Sequence, residues 1–334
     1  MLNKSSLGRL LSRGRSTAGK IRAFRAAAKG KFSLPATVFE FQPEYILGAQ
    51  IFRSFRRVAS VALGELDAGA LSPLVARPNL LRPDEVARRT LAVAKVLGSD
   101  RGPFGLLLPD GAVRVSILNF DTLPSDPREQ ESLVRWKMRS LLPFAVEEAR
   151  LSFEVSRKEP AGVDAVVMSV RKSVLAEYES TLEALNGDVS LVLPSSAALL
   201  PLLREDAEAG EMLLNISPTH LTAVVAKGRQ IKLWRNQSMG GKSSEEGLAA
   251  VTEEATRTLA ASHDYLGLEI SRVCICARPN VPRTWVMELG QKLSRDVVDV
   301  VPPALPVRMR LSSEEGQILN EFGATVSGLV ANAA

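Results

Sequence analysis

The segment MLLNISPTHLTAVVAKGRQIKLWRNQ, residues 212–237, reads as three short strands in succession. Met212–Ile216 and Leu221–Ala226 are apolar runs divided by the turn Pro218-Thr219-His220, and Gln230–Gln237 follows the turn Lys227-Gly228. A long helical stretch, Ser244–Leu266, comes next and breaks at Gly267. Beyond it the pattern gives a strand at Val273–Ala277, a helix at Trp285–Leu293 and a strand at Val297–Val301.

The same succession stands earlier in the chain. Thr37–Phe41 is a strand, and Ala49–Gly64 continues β character with a turn inside it. Arg82–Leu97 carries Val86, Thr90, Val93 and Leu97 at helical spacing, with Pro83 near its start. Gly105–Leu108, the turn Pro109-Asp110-Gly111 and the alternating Val113–Leu118 predict a hairpin. Two halves with one element order predict two α/β lobes around a cleft.

Between the halves, Asp126–Leu142 is helical and ends at Pro143. Leu151–Val155 and Asp164–Val170 are strands, and the helix Val174–Leu185 stops at Asn186-Gly187. Val189–Leu193 is a strand, Ser195–Leu203 a short helix, and Asn320–Ala331 a closing helix that Gly323 and Gly328 weaken.

The chain of 334 residues is 46% hydrophobic and 24% charged, enough apolar material for a buried core in two domains. Its two cysteines, Cys274 and Cys276, fall on one face of a strand and have no companion cluster for zinc. They read as small buried hydrophobes in a reducing compartment. No apolar run approaches the ~20 residues of a membrane span. The N-terminus has no continuous apolar centre of a secretory signal.

Residues 1–32 hold nine Lys and Arg and no acid, so a total of +5 leaves the remainder at −4. This basic arm, with Arg9, Arg13, Arg15, Lys20, Arg22 and Arg25, suits a solvated extension, an anionic membrane surface or nucleic acid. Phe24 is its one internal aromatic, so it has no stacking array for single strands.

Four stretches resemble the PilM branch of the actin-like ATPase superfamily. They are Trp136–Glu148, with its Leu142-Pro143-Phe144 and Glu147-Glu148; Asp164–Gly187; Leu213–Val225; and Trp234–Gly241, with Arg235 and Gly240-Gly241. The resemblance implies an α/β, two-lobed actin-like (ribonuclease H-like) fold with a small inserted α/β subdomain. It places 1–32 in a disordered basic arm and 33–122 in a first lobe, to which 186–205 and 305–334 return. Residues 123–185 form the inserted subdomain and 206–304 the second lobe, where the stretch 243–268 lies.

That superfamily grips phosphates with Asp-x-Gly turns on two hairpins, glycine admitting backbone amides and aspartate organising metal and water. Here the first turn has Glu40 for Asp and Gln42 for Gly, followed by Pro43 and Glu44. The second has Asn215 for Asp and Ser217 for Gly, then Pro218 and Thr219. The adenosine-side Gly-Gly becomes Ala277-Arg278. Each proline removes an amide donor. All three departures weaken phosphate binding and imply a pseudo-ATPase without a cofactor, against an ATP/Mg-binding alternative.

Gly240-Gly241-Lys242-Ser243 is not a P-loop, because Asn236 stands where its first glycine belongs. His220 and His263 are the only histidines and form no catalytic constellation. Glu147/Glu148, Glu245/Glu246 and Glu253/Glu254 read as solvated helix charges.

The resemblance implies a non-catalytic cytoplasmic scaffold, peripheral to the inner membrane, in a type IV pilus or type II secretion-like assembly platform. Its partner would be the cytoplasmic N-terminal peptide of a PilN-like inner-membrane protein, in a groove beside the small subdomain with Trp136 and Phe144 as candidates. The reading allows a homo-oligomer. An ATPase or kinase of the same superfamily is the alternative, and nucleic-acid or membrane-surface binding through the arm a further one.

Overall fold

The computed structural model describes residues 34–52, 57–158, 162–204, 209–228, 230–240, 242, 244–279, 281–300 and 311–332. The basic arm lies outside the described residues, as does Gly241.

The first lobe is a five-stranded sheet. β1 (Thr37–Phe41), β2 (Tyr45–Phe52) and β3 (Arg57–Glu65) form an antiparallel meander. α1 (Pro83–Val96) crosses back to β4 (Phe104–Leu108), parallel to β1, and β8 (Val189–Pro194) pairs parallel to β4. The second lobe repeats this order. β9 (Gly210–Ile216), β10 (His220–Lys227) and β11 (Gln230–Ser238) form the meander. The helix Ser244–Leu266 leads to β12 (Ile270–Ala277), parallel to β9, and β13 (Val297–Asp299) pairs with β12. Both sheets therefore run third, second, first, fourth, fifth strand, and the expected two-lobed actin-like fold is found.

The strands at the centre explain their composition. β1, β4 and β9 are flanked on both sides and covered on both faces, and every residue in them is buried. Their apolar runs are the price of that position, and the charged Glu40 within β1 is an anomaly that needs a partner.

The third sheet, order β5-β7-β6, comprises β5 (Arg114–Phe120), β6 (Ala149–Lys158) and β7 (Gly162–Arg171). The expected hairpin of 105–108 with 113–118 does not form. β4 is already paired on both edges, so the chain turns at Asp110–Ala112 and β5 enters another sheet. The subdomain boundaries shift with it. β5 belongs to the small sheet although it precedes residue 123, and α3 (Lys172–Ser180) buries Val174, Leu175 and Tyr178 in the first-lobe core. β7 alternates between two cores. Val166, Met168 and Val170 face the first lobe, while Ala165 and Val167 join Val134 and Met138 of α2 (Pro127–Met138).

α2 is capped by Asp126, whose carboxylate accepts from the amides of Arg128 and Glu129. α4 (Ser195–Leu199) follows β8, α5 is the helix Ser244–Leu266, and α6 spans Thr284–Leu293. The closing helix is two helices, α7 (Ser313–Phe322) and α8 (Ala324–Asn332), divided at Gly323. Glu254 is not a solvated charge. It is 4% exposed on α5 and pairs with Arg235 of β11.

Candidate functional site

The β1–β2 turn closes through Gln42, whose amide donates to the Tyr45 carbonyl at 2.9 Å. Gln42 is buried, and its Nε2 donates to Glu40 Oε1 and to Ser195 Oγ, each at 2.9 Å. Glu40, fully buried, also accepts from the Thr325 hydroxyl of α8. The equivalent turn of the second lobe satisfies itself. Ser217 N donates to the His220 carbonyl at 2.8 Å, and His220 N donates back to Ser217 Oγ at 2.9 Å. Thr219 Oγ1 lies 3.4 Å from Ser217 Oγ.

Asn215, in the position matching Glu40, bridges the halves. Its Nδ2 donates to Asp110 Oδ2 at 3.1 Å and to Ser196 Oγ at 2.9 Å. Asp110 also accepts from Ser196 N at 3.0 Å and Thr222 Oγ1 at 2.8 Å. A first-lobe carboxylate is thus held by donors of both lobes.

Arg278 stands between the two hairpins. It is 4% exposed and follows β12. Its Nη1 meets Glu40 Oε1 at 2.9 Å and Tyr45 Oη at 3.3 Å, and its Nε donates to Asn215 Oδ1 at 3.2 Å. Burial disfavours its charge most of all, but Glu40, Tyr45, Cys276 and Asp110 together more than offset that and raise its pKa, so Arg278 stays protonated. Burial also raises the Tyr45 hydroxyl, opposed by Arg278.

Arg278 forms part of the wall of an inter-lobe cleft of about 870 Å³, with Tyr45, Leu66, Val281, Asp299 and Phe322. Burial raises the carboxyls of Glu44 and Asp299 at its rim. Ala277 lies on the cleft wall at the end of β12. Gly240 is exposed just beyond β11 and takes no part in the Arg278 and Asn215 contacts of the site. Among the described residues no group of three or more His, Cys, Asp and Glu is arranged to hold a metal ion.

A second concavity of about 60 Å³ lies between β6 and β8, each the last strand of its sheet. Leu108, Val113, Met168, Leu175 and Leu193 line it, together with Ser152, whose buried Oγ has no protein partner. Trp136 and Phe144 are not among its lining residues. Trp136 is 64% exposed on α2, and Phe144 packs on the small-subdomain core with the Arg171 guanidinium 5.8 Å from its ring centre.

Sequence reasoning brought together Glu40, Gln42, Asn215 and Ser217, and overlooked Arg278, Asp110 and Tyr45. The available signal was a lone charge inside an apolar run, Glu40 in β1, and a lone cation ending one, Arg278 after β12.

No family model matches the sequence, and no curated protein matches it. A solved structure described as a PilM-PilN type IV pilus biogenesis complex matches at TM-score 0.74 and 17% identity, covering 91% of this chain and 100% of that one. The cytoplasmic domain of EpsL, an inner membrane component of the Vibrio cholerae type II secretion system, matches at TM-score 0.47 and 12% identity, covering 81% and 100%. A Bacteroides thetaiotaomicron protein of actin-like ATPase fold and unknown function matches at 0.46 and 10%, covering 79% and 90%. No helix among the described residues is long and apolar enough to cross a membrane. The chain has a PilM-like version of the actin-like fold.

Proposed function

We propose that this chain is a non-catalytic scaffold of a type IV pilus or type II secretion-like assembly platform. It works on the cytoplasmic face of the inner membrane and binds the cytoplasmic N-terminal peptide of a PilN-like membrane protein. The observation that carries the reading is the concavity between the sheet-end strands β6 and β8. An extended peptide pairs with such an edge through its main chain and seats alternate side chains in apolar pockets. The orphan Ser152 hydroxyl offers a further polar contact. Support also comes from the whole-length likeness to a chain of the PilM-PilN complex.

The lining of the inter-lobe cleft weighs against a metal-bound triphosphate. Glu40 and Asp110 are already engaged by protein donors, Arg278 lies between the hairpins, and Pro43 and Pro218 supply no amide. These features support a scaffold without nucleotide turnover. The volume of the cleft favours the ATP-binding alternative, so both ligands are titrated.

The test is calorimetric titration with a synthetic peptide matching the cytoplasmic N-terminus of a PilN-like membrane protein, and separately with Mg-ATP. Peptide binding by the wild type, lost in Ser152→Trp, is the expected result. Unchanged affinity in that variant removes the groove, and micromolar Mg-ATP binding removes the nucleotide-free reading.

A further inference from the structure

We infer that Arg278 is a built-in ligand, tying the two lobes together between the hairpins where a bound nucleotide would otherwise bridge them. Glu40 on β1 and Asn215 on β9 occupy equivalent places in the duplicated sheets, and one guanidinium meets both, at 2.9 and 3.2 Å. Tyr45, the first residue after the β1–β2 turn, adds a third contact at 3.3 Å. The second tie is Asp110, a first-lobe residue that accepts from Asn215 and Thr222 of the second lobe. The two ties share Asn215, so they act as one connected unit.

The chemistry requires arginine. Its planar fork reaches several acceptors at once and keeps its charge when buried, whereas lysine offers one compact ammonium. Glu40 at 0% exposure has no access to water, so without the guanidinium it is a buried charge lacking its counterion. A nucleotide-dependent relative closes its cleft by adding a ligand. This chain carries the equivalent group on its own Arg278 side chain, and its lobes hold one relation in every ligand state. The inference concerns the cleft and does not depend on the peptide groove.

The experiment compares amide exchange in the full chain for wild type, Arg278→Lys and Arg278→Ala. Amides of Glu40–Tyr45 and Asn215–Leu221 exchange about a hundredfold faster in Arg278→Ala. Arg278→Lys falls between the two, and the β5–β7–β6 sheet serves as the unchanged control. Guanidinium chloride at about 0.1 M, compared with equal sodium chloride, raises the melting temperature of Arg278→Ala and lowers that of the wild type. A general denaturant stabilises a variant only by refilling a vacated guanidinium site. Should Arg278→Ala fail to fold, Arg278→Lys decides alone. Hairpin protection in Arg278→Lys equal to wild type overturns the inference. The apolar contact of Leu199 and Leu203 with Leu213 and Val224 then holds the lobes by itself.

Discussion

Arg278 and Glu40 face each other at 2.9 Å from opposite lobes, with side chains 4% and 0% exposed. The pair is the most deeply buried ion pair among the described residues, and its arithmetic is asymmetric. Removing one partner strands the other, whereas removing both leaves little unpaired charge.

Arg278→Met alone is therefore expected to cost about 3–5 kcal/mol in urea unfolding. Adding Glu40→Gln, which keeps one acceptor oxygen for Gln42 and turns its NH2 to the Thr325 hydroxyl oxygen as donor, recovers most of that loss. Additive losses in the double variant would mean the two side chains are not coupled.

His220 packs over Gly111, where an added Cβ would sit 2.3 Å from its Nε2. Burial lowers its pKa from 6.5, opposed by Asp110. The unfolded chain therefore takes up a proton at higher pH than the folded one. Stability is unaffected by this group well above 6.5 and falls as pH drops through that value towards the lower folded one. His220→Gln removes this component. Its unfolding free energy should vary less than the wild type's between neutrality and about pH 5, and identical slopes would rule His220 out.

Burial pushes the Cys276 thiol up to about 11 and raises that of Cys274. Neither forms the reactive thiolate at neutral pH. A thiol reagent should label neither cysteine in the native protein and both in denaturant. Rapid native labelling would place one of them at the surface.

Gly328 lies where α8 meets α4, and a Cβ there would come within 2.1 Å of the Ala198 carbonyl oxygen. Helix propensity alone favours Gly328→Ala by about 1 kcal/mol. The close approach should reverse the sign, giving a lower melting temperature, and a stabilised variant would show that α8 can shift away.

The closing helix illustrates where local reading stops. Gly323 and Gly328 weakened one expected helix, Asn320–Ala331. The first divides two helices, and the second permits a backbone contact that no local pattern displays. α7 was overlooked, although Ser312 and Glu315 form a capping box and were its available signal. The groove candidates show the same limit. Trp136 and Phe144 are conspicuous in sequence, yet the concavity between β6 and β8 is lined by ordinary strand residues from distant segments.

The sequence by itself determined most of the element order, the duplication and the replaced residues of both hairpin turns, because apolar periodicity and turn chemistry act over a few neighbouring residues. Only the tertiary structure decided what fills the space between those turns. Arg278 and Glu40 lie in different halves of the chain, and their pairing follows from two sheets packing with one desolvated gap between them. A buried charge takes its partner from whatever the fold brings within reach, and spacing along the chain carries no trace of that choice.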